Sequence, residues 1–222
     1  MSTNILVTDD RLSFSLSLAD FLRVQGLYVC VTSESGALPT KDIKKEQKIG
    51  PILEWNRNSV FSTQSLALQL KNLNIAIDTA VIVFDAPAYA ELYTESDALS
   101  IEAVFGELIT ANMQLLSMLI DYFTKQRNGK LIFVHRDVPI PCHTISVAAA
   151  SSAFVRLAEE IAASYANDSH SFLQTLLVKL DSEDNEAYAD WIVSQIQQDQ
   201  LARSTGRWVK AGQRGFFAKA SL

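Results

Sequence analysis

The chain has 222 residues and a mass of 24.6 kDa, which suits one large α/β domain or two small ones. Hydrophobic residues make up 48%, enough for a buried core, and the net charge of −6 argues against nucleic acid as a main partner. No segment reads as long and apolar enough to span a bilayer, and the N-terminus lacks the basic start and apolar core of a signal peptide.

Residues 4–8 form a short apolar β run. Residues 12–25 show helical spacing, with Leu12, Leu16, Ala19, Phe21 and Leu22 recurring at three and four, and Gly26 ends that helix. Residues 27–31 are a second buried strand holding Cys30. Only Cys142 accompanies it in the chain, so Cys30 reads as a buried free thiol and a cytoplasmic setting is expected. Residues 33–50 are polar, and Lys41, Lys44, Lys45 and Lys48, interrupted by Asp42 and Glu46, read as a solvated face. Residues 51–55 look like a third strand and 62–73 an amphipathic helix. Residues 79–84 are a strongly β-branched strand ending in Asp85-Ala86-Pro87. Residues 101–126 carry the longest apolar helical pattern. A strand at 130–135, a helix at 147–165, a strand at 173–180, a helix at 187–197 and a short strand at 207–211 complete the chain.

Strands alternate with helices, and the strands are continuous apolar runs. Both features predict a doubly wound, Rossmann-type parallel sheet of about seven strands, covered on both faces. No internal repeat or low-complexity linker divides the chain, so residues 1–222 form a single domain.

Several segments, in order, resemble one family. They are Val81-Ile82-Val83-Phe84-Asp85-Ala86-Pro87, Asn112 within Ile109-Thr110-Ala111-Asn112, and Gly129-Lys130-Leu131-Ile132-Phe133-Val134. An alanine-rich helix start at 148–150 and the closing stretch Thr205-Gly206-Arg207-Trp208-Val209 follow. The chain resembles a short-chain dehydrogenase/reductase, closest to the β-ketoacyl-carrier-protein reductase branch. The resemblance implies an NAD(P) site after the first strand, a Tyr-x-x-x-Lys pair, a serine after the fifth strand and an asparagine on the long helix.

The residues depart from that pattern. The family's turn is Thr-Gly-x-x-x-Gly-x-Gly, whose glycines let the backbone approach the pyrophosphate. Here Thr8 is kept, but the glycine positions fall on Asp9, Ser13 and Ser15. Asp9 and Asp10 place negative charge where phosphates would lie; these residues also read as caps of the following helix. Arg11 could grip a phosphate. Glu34 could reach a ribose hydroxyl but reads better as an exposed loop acid. Val147 stands at the tyrosine position, Ser151 at the lysine and Arg136 at the serine; only Asn112 survives. Valine cannot donate a proton, so reduction by the family's usual route is not expected. A remodelled site around His135, Arg136 and Asp137, with His143 on the following loop, is the enzymatic alternative; an ion-paired strand end with a surface histidine is the simpler reading. The histidines and cysteines show no metal-ligand spacing.

After the sixth strand the family's substrate lid is reduced to residues 181–185. In the family the long helices corresponding to 101–126 and 147–165 pair with a second subunit. The first reads as apolar around most of its circumference, which calls for cover beyond the sheet. The tail 213–222, with Phe216 and Phe217, could pack across such an interface.

The sequence therefore points to a degenerate, non-catalytic reductase-like protein acting as a homodimer or as partner to an active reductase, with no cofactor. The alternative is an NAD(P)-binding oxidoreductase or nucleotide sensor. It would hold nucleotide through Thr8, Arg11 and Asp85 and act through Asn112, His135 and Arg136.

Overall fold

The computed structural model describes residues 3–34, 49–94, 97–136, 138, 145–166, 172–201 and 206–212. Seven parallel strands form one sheet: β1 (Asn4–Val7), β2 (Tyr28–Ser33), β3 (Ile49–Glu54), β4 (Thr79–Asp85), β5 (Gly129–Arg136), β6 (Leu173–Leu180) and β7 (Val209–Lys210). Their spatial order is β3-β2-β1-β4-β5-β6-β7. The central strands are buried on both faces; every residue of β4 is inaccessible or nearly so. This is why they read as unbroken apolar runs rather than alternating ones.

The helices are α1 (Ser13–Val24), α2 (Val60–Asn72), α3 (Ala86–Leu92), α4 (Ala98–Val104), α5 (Ala111–Gln126), α6 (Ile145–Ala166) and α7 (Asn185–Ile196). α1 packs against α7 and α2 against α5, giving a helical layer on each face of the sheet. Gly26 closes α1 as expected: its φ is +76°, and the N–H groups of Gly26 and Leu27 turn back to the carbonyls of Arg23 and Leu22.

Two elements go beyond the sequence reading. A helix, α3, follows β4 directly, where the sequence reading placed only the end of the strand. Asp85 caps α3 by accepting from the Ala88 N–H at 3.2 Å, and Pro87 sits in the first turn, where its missing N–H does no harm. The long apolar helix is also not uniform. α4 and α5 are joined by a π-helical segment, Phe105–Thr110.

The whole run Ala98–Gln126 spans 29 residues and contains an 18-residue window with a mean hydropathy of 1.5, so by length and composition it is apolar enough to cross a membrane, contrary to the sequence reading. Within the fold its apolar content is explained by packing: Leu115, Leu116, Leu119 and Phe123 are buried by the rest of this chain. It is therefore not apolar all round. Cover from the same chain accounts for its sheet side, and the exposed remainder is confined to Ile101, Phe105 and Met113, with Leu99 just before them.

Candidate functional site

In an open parallel sheet, ligands bind beyond the C-terminal strand ends, where the strand order reverses. Here that switch point lies between β1 and β4. The residues around it form two clusters of side chains.

The first is built on Asp9. Its φ is +65°, in the left-handed region where a glycine would be expected and which aspartate tolerates better than most residues. The Asp9 Oδ1 accepts from the Arg11 backbone N–H at 3.2 Å and from Arg11 Nε at 2.9 Å. Its Oδ2 accepts from Tyr89 Oη at 2.6 Å and pairs with Arg57 Nη2 at 2.9 Å. Burial pushes the Asp9 carboxyl up, but the charges of Arg57 and Arg11 and the hydrogen bonds from Arg11 and Tyr89 outweigh it and hold it below the ordinary value.

Arg11 extends the cluster to Glu34 at 2.7 Å and Glu107 at 3.1 Å. Glu107, on the π segment, also accepts from Asn58 Nδ2 at 2.8 Å and from the Tyr93 hydroxyl. Burial raises the Glu107 carboxyl, and the hydrogen bonds from Tyr93, Asn58 and Arg11 reverse this and leave it lowered. Glu34 ends up raised, because desolvation there exceeds the pull of Arg11. Arg57 lies over the Trp55 ring, 4.5 Å from its centroid, which adds a cation–π contact to the pair. Three carboxylates and two guanidinium groups thus interlock the ends of β1, β2 and β3 with α3 and the π segment.

The second cluster is built on Arg136, at the end of β5. Its Nε pairs with Asp85 Oδ2 at 2.7 Å, with both side chains 5% exposed. Its other nitrogens bond the Ser182 carbonyl and Asn185 Oδ1, the latter at 2.6 Å. Tyr188 donates to Asp181 at 2.6 Å, and Lys210 pairs with the same carboxylate at 3.0 Å. The short segment between β6 and α7 is therefore tied down on both sides.

These contacts revise several expectations. Asp9, Ser13 and Ser15 do not cap α1: the N-cap is Leu12, without a side-chain bond, and Ser15 donates instead to the Thr8 carbonyl at 2.7 Å. Thr8 is a cross-strand brace, its Oγ1 accepting from the Val83 N–H at 2.9 Å. Glu34 is half-buried and ion-paired rather than an exposed loop acid. The strand end at Arg136 is ion-paired as expected, but with Asp85; Asp137 lies outside the described residues, as do His143, Cys142, the lysine cluster and the tail 213–222. His135 is buried, not on the surface. Its Nε2 lies 2.8 Å from Ser151 Oγ and its ring stacks on Phe154. Val147 is fully buried in the core. Cys30 is a buried free thiol, pushed up to about 12 by burial. Among the described residues no group of acidic, histidine and cysteine side chains is placed to hold a metal.

Asn112 stands apart from both clusters. It is buried, donates Nδ2 to the Leu108 carbonyl at 2.8 Å, and lines a cavity between α5 and α6. Sequence reasoning missed Arg57, Tyr89, Tyr93 and Glu107. One signal was available: Glu107 is a lone acid inside the apolar run Phe105-Gly106-Glu107-Leu108-Ile109, and an acid there needs a partner.

This arrangement of strands and helices can be compared with solved structures. A short-chain dehydrogenase from Streptomyces avermitilis superposes with a TM-score of 0.71 at 12% identity, over 95% of this chain and 88% of that one. The chain has the short-chain dehydrogenase/reductase fold. Another short-chain dehydrogenase, from Leptospira borgpetersenii serovar Hardjo-bovis and with bound NAD+, gives 0.66 at 10% identity, over 95% of this chain and 91% of that one. A gluconate 5-dehydrogenase from Burkholderia cenocepacia, in complex with NADP and tartrate, gives 0.61 at 14% identity, over 95% and 84%. No family model matches the sequence. An uncharacterized protein of Treponema pallidum is 43% identical over 222 residues, covering 99% of this chain and 97% of that protein, and the two belong to one family.

Proposed function

We propose that this protein is a non-catalytic member of the reductase fold that acts through association. The observation that carries the reading is the Asp9 carboxylate, which takes up the N–H of Arg11 and the charges of Arg11 and Arg57 at the very turn where a pyrophosphate would need them. A dinucleotide fits these residues poorly. Its phosphates would meet Asp9 and Asp10, and both nearby guanidinium groups already have carboxylate partners. At the other end of the groove, Asp85 and Arg136 fill the strand ends with a buried pair. A site remodelled around Arg11 and Arg136 is disfavoured for the same reason: both cations are neutralised within the fold.

The chemical positions agree. Val147 has no proton to give, and Ser151 holds His135 rather than any charge. The segment after β6 is fastened through Ser182 and Asn185, which does not suit a lid that must open and close.

What remains is surface. Leu99, Ile101, Phe105 and Met113 are exposed on α4, the π segment and α5, and Met113 lies beside half-buried Leu157 of α6. We read this face as the contact for a second copy or a related reductase. A cytoplasmic setting accords with the free thiol of Cys30. Light scattering on the purified chain tests the association. A dimer that dissociates when Met113 and Phe105 are both replaced by glutamate is expected. A monodisperse monomer at high concentration, with no partner captured from the host, would remove the reading.

A further inference from the structure

We infer that the cavity between α5 and α6 binds a small aromatic molecule carrying one hydrogen-bond donor. Its volume is about 320 Å³, at the lower end for ligand pockets and suited to one or two fused rings. Its walls are apolar: Leu108, Ile109 and Met113 from one side, Ala153, Phe154 and Leu157 from the other.

The exception is Asn112, only 2% exposed. Its amide can be oriented without ambiguity. The Leu108 carbonyl only accepts, so the group 2.8 Å from it must be the NH₂, which leaves Oδ1 for the cavity. Among the described residues Oδ1 accepts no hydrogen bond, and it is not sealed off as an enclosed unpaired atom. An acceptor open to an otherwise apolar cavity is the single polar point that a ligand donor can meet there, and a water in the same place finds few other polar contacts on these walls. A molecule with an apolar body and one N–H or O–H satisfies the walls and the acceptor together. The Phe154 ring and the Met113 sulfur favour an aromatic body. At the mouth Arg156 and Glu160 pair with each other, so neither calls for an ionic ligand.

One further observation supports this. The π segment Phe105–Thr110 ends two residues before Asn112, and such segments recur at functional sites. The inference does not rest on the association reading, and either can fail alone.

Indole is the probe. Calorimetric titration of the full chain is expected to show saturable binding, with 1-methylindole, which lacks the donor, about two- to tenfold weaker. Asn112→Leu is expected to erase the difference between the two compounds, and Ala153→Phe, which fills the cavity from α6, to abolish binding of both. Absence of saturable indole binding, equal affinity for both compounds in the unaltered protein, or binding that survives Ala153→Phe would each overturn the inference. If Asn112→Leu does not fold, the two compounds and Ala153→Phe still decide it.

Discussion

Asp9 and Arg57 meet at 2.9 Å with both side chains 2% exposed, one at the end of the first strand and the other after the third. A pair this deep gains little over a well-packed apolar substitute, but removing one partner strands the other charge. Arg57→Met is therefore expected to reduce unfolding stability by about 3–5 kcal/mol, read from urea denaturation. A loss under about 1 kcal/mol would mean that the pair is exposed to water in solution.

The same cluster sets an acid limit. The carboxyls of Asp9 and Glu107 lie below their ordinary values of 3.8 and 4.5, so their contribution is fully present above those values and is lost as pH falls beneath them. Glu34 is shifted upward and acts in the opposite sense, favouring the folded state slightly as it takes up a proton. The urea midpoint should fall steeply as pH drops below about 4, and Arg57→Met should flatten that fall, because the main charge holding Asp9 down is gone. An unchanged acid limb in the variant would count against the assignment.

Arg136 braces three strand ends through Asp85, Ser182 and Asn185. Arg136→Ala should destabilise the fold by about 3–5 kcal/mol and speed amide hydrogen exchange in residues 181–185 more than in β1 or α1. Uniform acceleration across the chain would show only global loss of stability.

Cys30 is buried with its thiol pushed up to about 12, so it should resist a thiol reagent at pH 8 in the folded state and react on unfolding. Prompt labelling of Cys30, located by peptide mapping, would contradict the placement of β2.

The sheet was legible because burial on both faces leaves a one-dimensional trace: continuous apolar runs such as Ala80 to Phe84, separated by helical spacing. The reading of Asp9 as foreign to a phosphate turn also came from local residues. Its partners did not. Arg57, Tyr89 and Glu107 come from three other segments, and a charge that is buried and paired looks in sequence like any surface charge. The π segment was hidden because one added residue per turn leaves the apolar composition of Ala98–Gln126 unchanged. α3 was hidden by Pro87, which reads as a breaker unless Asp85 is recognised as the cap before it.

The central claim is that the protein's own side chains hold the groove that the fold uses for a dinucleotide. Titration of the purified chain with NADH and NADPH, followed by cofactor fluorescence and by calorimetry, tests it most directly. No saturable signal up to millimolar concentration is the expected result. Micromolar binding of either nucleotide would contradict the account.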